Sequence, residues 1–333
     1  MVVKKDVNIG IIGAGSMGTA LAMLLGNNGL DVVVWARRAE VVRSINKFGE
    51  NREYFPGIRL PPNVRATNDL GECLDSDILF IAVPSHAARE VCMRIREAGG
   101  GDFIVVNTAK GVEYPPFRRL SMVIREVLGD VRLVVMSGPN FASEIVRGLP
   151  SGTTIAGEDR DALIAVKRVL HGDSFVVQVS DDVVGVELGG VLKNIYAIAM
   201  GICDALGVNE NAYYFVLTEA FREMRDIIVR LGGRPETLFL SSGFGDLCLT
   251  SSSNKSRNRA LGFIAGKEML GNTDRSTVVL EGMKSVRAFH DLVGEWGLRC
   301  PVLEFVYNVL ILRRKPYNEF LRLWRNIKEL YDD

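Results

Sequence analysis

Val7-Asn8-Ile9-Gly10-Ile11-Ile12-Gly13-Ala14-Gly15-Ser16-Met17-Gly18, near the start of the chain, is the stretch whose reading decides the fold. Its first half is a short aliphatic run, the pattern of a strand covered on both faces. Its second half fits G-x-G-x-x-G and leads into Met17–Asn27, where apolar residues recur at helical spacing. A strand, this glycine pattern and a helix in succession make the dinucleotide-binding fingerprint. Gly13 permits a tight turn, Gly15 lets the backbone approach a pyrophosphate, and Gly18 allows close helix–strand packing. The helix start, Ser16-Met17-Gly18, then offers exposed N–H groups to the anion. A plain strand-to-helix turn can carry the same glycines, so the motif draws its weight from the elements on either side.

Working outward, aliphatic runs recur at Asp31–Trp35, Ile78–Val83, Phe103–Asn107, Val131–Met136, Thr153–Ala156 and Phe175–Val179, separated by helical patterns. This alternation predicts an α/β fold, a doubly wound Rossmann-type parallel sheet, followed by an all-helical C-terminal domain. After Asp182 the strand runs cease, which places a boundary near residue 184: a dinucleotide-binding domain over 1–184 and a helical domain over 185–333. A Gly/Ser-rich loop is expected at Ser241–Ser253. Doubly wound sheets bind ligands at the carboxyl ends of their strands, where Pro84, after Val83, and Lys110, after Asn107, both stand; this places Lys110 near the nicotinamide end of the cofactor, although position alone favours an ordinary surface lysine. The run Asp31–Trp35 is followed by Ala36-Arg37-Arg38 where an acidic ribose ligand commonly stands. Arg37 and Arg38 can neutralise a 2′-phosphate, which favours NADP over NAD, or can stand as solvated surface charges.

The 333 residues are enough for about two domains of usual size. Forty basic and 40 acidic residues cancel to a formal charge of zero, which gives no global field for nucleic acid. Five dispersed cysteines without a C-x-x-C pair, and no histidine at metal-ligand spacing from them, argue against a disulfide framework or a structural zinc site. Met1–Asp6 is short and mixed in charge, unlike a signal peptide. The most apolar stretch, Leu188–Leu206, contains Lys193, Asn194 and Asp204, so a buried helix is expected rather than an integral membrane segment. A cytoplasmic protein is expected.

Several later segments, in order and over nearly the whole chain, resemble NAD(P)-dependent glycerol-3-phosphate dehydrogenase of the prokaryotic type. They are Asn51-Arg52-Glu53-Tyr54-Phe55-Pro56-Gly57, Ser137-Gly138-Pro139-Asn140-Phe141-Ala142-Ser143-Glu144, Glu187-Leu188-Gly189-Gly190-Val191-Leu192-Lys193-Asn194, Gly243-Phe244-Gly245-Asp246-Leu247, Asn254-Lys255-Ser256-Arg257-Asn258-Arg259 and Val279-Leu280-Glu281-Gly282. The resemblance implies reversible oxidation of sn-glycerol 3-phosphate to dihydroxyacetone phosphate by hydride transfer, supplying glycerol 3-phosphate for phospholipid synthesis. That chemistry needs a proton carrier at the carbinol oxygen, donors for the phosphate and a cofactor presenting its hydride face.

The resemblance makes 185–333 the substrate and catalytic domain and Lys193 the proton carrier. On a helix its neighbours are Gly189, Gly190, Tyr196 and Ala197, a face of mostly small residues from which its charge could meet a substrate, although a core lysine can also snorkel outward. Burial would lower its pKa toward acid–base use. Asp246 is implied to contact substrate hydroxyls and restrain Lys193, though a carboxylate there could also cap a turn or helix. Lys110 joins them as a catalytic, substrate and cofactor contact. Gly138 and Asn140 are placed at the substrate, and Ser256, Arg257 and Asn258 at its phosphate, where the Arg257 fork suits phosphate. Ser256 to Asn258 also read as a helix N-terminus, itself an anion site. Ala142, Arg257, Val279 and Glu281 are implied cofactor contacts, Glu281 otherwise being an ordinary exposed glutamate.

Two departures stand out. Thr218-Glu219-Ala220 replaces the Thr-Arg-Gly common in the family, and Asn140 stands where Ser or Thr often follows Ser-Gly-Pro. They leave open a paralogous reductase of another small phosphorylated or phosphonylated ketone. A dinucleotide-sensing regulator is a further alternative, which the presence of an acid–base lysine disfavours. Tyr213–Val216 and Val302–Leu312 suit either a homodimer interface, as in related enzymes, or internal core.

Overall fold

The computed structural model describes residues 7–270 and 277–332, with the backbone alone at 277–280. Met1–Asp6 and the side chain of Val279 lie outside the described residues. The chain divides into two compact units: one takes the described residues up to Lys110 together with Arg119–Glu187, the other Gly111–Arg118 and the described residues from Leu188 onward. Residue 184 falls in the first turn of the helix Val183–Leu206. That turn stays with the sheet because the buried Glu187 carboxylate accepts hydrogen bonds from Ser121 N (2.8 Å), Ser121 Oγ (2.5 Å) and Arg119 Nη1 (3.1 Å). It thereby satisfies an orphan N–H in the first turn of the helix Leu120–Leu128.

The first unit is organised around β1 (Ile9–Ile12), β2 (Val32–Trp35), β3 (Val64–Thr67), β4 (Ile78–Ile81) and β5 (Ile104–Asn107). A ribbon of β6 (Val112–Glu113) and β7 (Arg118–Arg119) precedes β8 (Arg132–Ser137), β9 (Ser151–Gly157) and β10 (Phe175–Ser180). The main sheet runs β10-β9-β8-β5-β4-β1-β2-β3. Strands β1 to β5 and β8 are parallel, and the order reverses at β1, which pairs with both β2 and β4. Ligands bind beyond the carboxyl ends of strands at such a switch point. Strand β9 is antiparallel to β8 and parallel to β10, so these two depart from the parallel run expected of them. The edge strand β3, Val-Arg-Ala-Thr, lacks the aliphatic signal by which its neighbours are read, because an edge needs less apolar cover.

Side chains alternate across the sheet. Phe80, Val106 and Val134 pack with Leu21 and Leu25 in one cluster, whereas Leu79, Ile81, Val105 and Leu133 pack with Ile95 and Ile124 in another. Two buried faces explain the near-continuous aliphatic runs.

The second unit is helical. Val183–Leu206 is the one described helix long and apolar enough to cross a membrane, and 89% of its most apolar window is buried inside the fold. It serves as the core about which Glu210–Arg230, Arg257–Gly266 and Pro301–Leu310 are arranged. A Cβ on Gly201 would lie 2.0 Å from the Arg259 carbonyl oxygen, and one on Gly262 2.0 Å from that of Ile198, so the two helices touch backbone to backbone. Val302, Leu303, Phe305, Val306, Val309 and Leu310 are internal core of this unit.

The expected loop at Ser241–Ser253 is largely helical instead. Ser241–Gly245 forms a single π-type turn and Asp246–Ser252 an α-helix. Leu247, Thr250 and Ser251 are buried along it, and Ser252 Oγ donates back to the Cys248 carbonyl at 2.8 Å. Tertiary packing overrides the poor helix propensity of glycine and serine here.

Candidate active site

At the carboxyl edge of the first unit the three motif glycines have distinct surroundings. Gly13 has φ +112°, and a Cβ on it would meet the Ala82 carbonyl oxygen at 2.7 Å; a Cβ on Gly18 would lie 1.8 Å from that of Gly13. Around Gly15 nothing lies within 4 Å of the same position. Two glycines thus serve packing, while the third leaves an open approach to the backbone. The helix Ser16–Asn27 begins there with no side-chain cap and no acidic residue in its first turn, leaving its leading N–H groups for an anion. These features fit a dinucleotide pyrophosphate.

Beyond β2, Arg37 and Arg38 are both exposed, and Arg38 pairs with Glu53. Two residues before Glu53, buried Asn51 donates through Nδ2 to the Ala14 carbonyl (3.0 Å) and to Thr19 Oγ1 (2.9 Å) at the glycine turn. In the sequence Asn51 stands only as the first residue of the Asn51–Gly57 motif, and its amide ahead of Tyr54 and Phe55 is the signal that marks it.

The strand exits are cross-tied. Thr108 Oγ1 donates to the Ile81 carbonyl at 3.0 Å, linking the ends of β4 and β5, and Pro84 opens the short turn beyond β4. Lys110 Nζ donates to the Gly138 carbonyl (3.1 Å) and to Asn140 Oδ1 (3.3 Å). Asn140 Nδ2 in turn donates to Thr153 Oγ1 at 3.2 Å. Gly138 allows this, since a Cβ there would stand 2.8 Å from Thr153 Cα. The structure thus gathers Lys110, Gly138 and Asn140 in one polar cluster, and Ala142 begins the short helix that follows.

In the second unit Lys193 is 6% exposed and Asp246 1%. Lys193 Nζ lies 2.5 Å from Asp246 Oδ1 and donates to Thr250 Oγ1 at 2.8 Å; Thr250 Oγ1 also lies within hydrogen-bond distance of Asp246 Oδ1, at 3.3 Å. A glycine one helical turn before the lysine enables the contact, because a Cβ on Gly189 would lie 2.8 Å from the Ser242 carbonyl oxygen. The carboxylate bonds the lysine as an ion pair. Burial and the adjacent carboxylate act on the ammonium in opposite directions, and the pairing permits a buried charge. Thr250 is absent from the residues singled out by sequence; its position four residues after Asp246 on a helix would have revealed it had that segment read as helical.

Ser256 caps the helix Arg257–Gly266, its Oγ accepting from Arg259 N at 3.2 Å. Arg259 is engaged with Asp204 at 2.7 Å, whereas Arg257 is exposed in the first helical turn and makes no ion pair among the described residues. A helix start and an available guanidinium therefore coincide. Asn258 is half-buried beside them, and Glu281 half-buried on the helix Thr277–Trp296.

Comparison with known proteins bears on this geometry. Residues 8–163 match the family profile described as NAD-dependent glycerol-3-phosphate dehydrogenase N-terminus, and 182–321 match its C-terminus counterpart. The chain belongs to the NAD-dependent glycerol-3-phosphate dehydrogenase family. It is 39% identical over 326 residues to a glycerol-3-phosphate dehydrogenase [NAD(P)+] of Acinetobacter baumannii, covering 97% of this chain and 91% of that protein. A Clostridium perfringens protein of the same name is 36% identical over 316 residues, covering 93% and 95%. Among solved structures, the glycerol-3-phosphate dehydrogenase of Coxiella burnetii superposes with a TM-score of 0.85 at 32% identity, covering 98% and 99% of the two chains.

Within this glycerol-3-phosphate dehydrogenase family the two departures have local explanations. Asn140 reaches Lys110 through its amide oxygen and Thr153 through its amide nitrogen, a bridge beyond the reach of a serine. Buried Glu219 accepts from Arg222 Nε (2.8 Å) and Tyr331 Oη (2.5 Å). The anion thus has a cation three residues along its own helix and a tie to the C-terminal segment.

Proposed function

We infer that this chain is an NAD(P)-dependent oxidoreductase interconverting sn-glycerol 3-phosphate and dihydroxyacetone phosphate, with NAD or NADP as cofactor. The buried Lys193–Asp246–Thr250 constellation carries the reading. A buried ammonium with a fixed carboxylate and hydroxyl is arranged for proton traffic at one oxygen, a role a dinucleotide sensor does not need.

In this reading the glycine turn receives the pyrophosphate at Gly15, Ser16 and Met17, with Gly13 and Gly18 shaping the turn by close packing, and Arg37 and Arg38 take the adenosine end. Pro84, Lys110, Ala142, Arg257, Val279 and Glu281 complete the cofactor contacts. When bound, the nicotinamide ring supplies or accepts the hydride. Lys193 gives a proton to the ketone oxygen of dihydroxyacetone phosphate on reduction, and takes it from the carbinol in the reverse direction. Its positive charge stabilises the developing alkoxide. Asp246 and Thr250 restrain its ammonium, and Asp246 accepts from substrate hydroxyls. Arg257, Ser256 and Asn258 hold the phosphate, assisted by the first N–H groups of their helix. Lys110, Gly138 and Asn140 position the substrate. The product would feed phospholipid synthesis.

The test is the purified protein with dihydroxyacetone phosphate and NADH or NADPH, followed by cofactor absorbance. Saturable oxidation of the cofactor is expected. Turnover of a different phosphorylated ketone alone would favour the paralogous reductase, and dinucleotide binding without turnover the sensor. The reading extends to a cytoplasmic homodimer, supported by the exposed aromatics Tyr214, Phe215, Phe239 and Phe244; sedimentation at one protomer mass would overturn the dimer.

A further inference from the structure

The segment after the helix Ala39–Phe48 is tightly built. Leu60 N donates to the Gly49 carbonyl at 2.7 Å, and Phe55 N to that of Asn51 at 2.8 Å. The Glu50 carboxylate accepts from Gly57 N at 2.8 Å and from Arg52 Nε at 2.5 Å. The Asn51 bonds to Ala14 and Thr19 fasten this segment to the glycine turn. Two residues further on, the Glu53 carboxylate is held against the Arg38 guanidinium. Arg38 follows the end of β2 by three residues, at the place where doubly wound sheets read the adenosine ribose. The pair is open to solvent, with side-chain exposures of 49% and 43%, and Arg37 beside it makes no ion pair among the described residues.

We propose that Glu53 is a specificity-determining residue, a carboxylate that occupies Arg38 when the bound dinucleotide lacks a 2′-phosphate and opposes that phosphate when it is present. The inference rests on the dehydrogenase reading above. An exposed ion pair is weak and exchangeable, so a 2′-phosphate, with a charge of about −1.5 to −2 at neutral pH, can take Arg38 from it. The displaced carboxylate stays close because Asn51 anchors its segment, and like charges at short range repel. Two adjacent arginines alone would select strongly for NADP; with Glu53 beside them, the chain accepts both cofactors.

Direct binding tests this without turnover. NADPH, NADH, adenosine 2′,5′-bisphosphate and 5′-AMP are titrated calorimetrically into the wild type, Glu53→Gln, Arg38→Gln and the double variant. Glu53→Gln should tighten the two 2′-phosphorylated ligands about fivefold, the range of an exposed ion pair, and move the other two less than about twofold. In the Arg38→Gln background the same change should lose most of its effect. An unchanged ratio of NADPH to NADH affinity would overturn the proposal. So would weakened NADH binding in Glu53→Gln, which would make the carboxylate a ribose ligand. Failure of the wild type to bind either dinucleotide would overturn the dehydrogenase reading together with this one.

Discussion

Lys193 holds its ammonium inside an apolar helix because Asp246 and Thr250 meet it there. Lys193→Ala is expected to lower kcat by about a thousandfold, the middle of the range for a lost general acid–base group, with helical content retained by circular dichroism. It should also lower the melting temperature, since Asp246 is left buried without its cation. Thr250→Val keeps both charges and removes one hydrogen bond on the lysine. About a tenfold loss in kcat with little change in KM is expected, because the hydroxyl's bond is to the ammonium it orients. A KM effect alone would reassign Thr250 to binding. Lys193 and Asp246 were legible because motifs name them. Thr250 was not, because nothing in a Ser/Thr-rich stretch distinguishes one hydroxyl until the chain folds.

At the scale of elements, glycines decide what can touch. Gly15 has φ −79° and ψ −170°, open to any residue, and nothing stands within 4 Å of a Cβ there. Gly15→Ala should therefore fold with a near-normal melting temperature while losing about tenfold or more in dinucleotide affinity, since the methyl group would fill the open approach proposed for the pyrophosphate. Gly18→Ala forces a Cβ to 1.8 Å from a backbone oxygen and is expected to destabilise the unit by several kcal/mol, on the order of a severe overpacking. Thermal denaturation beside a binding titration separates the two, and equal effects would refute the assignment of roles. The strands β1, β2, β4, β5 and β8 were legible from aliphatic runs because both their faces are buried. The helix Asp246–Ser252 was not, since its formation depends on packing its buried residues rather than on local preference.

At the scale of the whole molecule, Glu223 ties three helices of the second unit. Its Oε1 accepts from Val302 N at 2.6 Å, and its Oε2 from Leu303 N at 3.0 Å and Tyr196 Oη at 3.1 Å. Burial pushes its pKa from 4.5 up to about 8, against the hydrogen bonds that favour the carboxylate. Between those values the folded chain keeps a proton that the unfolded chain releases, so this residue's contribution to stability falls as pH rises from 4.5 to about 8. Glu223→Gln should gain on the wild type across that window by on the order of a few kcal/mol, read from denaturant unfolding at pH 5 and 8.5; a pH-independent difference would sink the idea. The sequence by itself determined the aliphatic parallel strands of the sheet, the glycine turn, the helical second half and the family, because those rest on local periodicity and ordered motifs, whereas the edge strand β3 and the antiparallel pairing of β9 did not show in it. Only the tertiary structure decided that Asp246 and Thr250 share Lys193, that Asn140 bridges Lys110 to Thr153, and that Glu53 faces Arg38. Each joins residues distant in sequence, and the contacts exist only where backbone packing, often at a glycine, brings polar groups within hydrogen-bond reach.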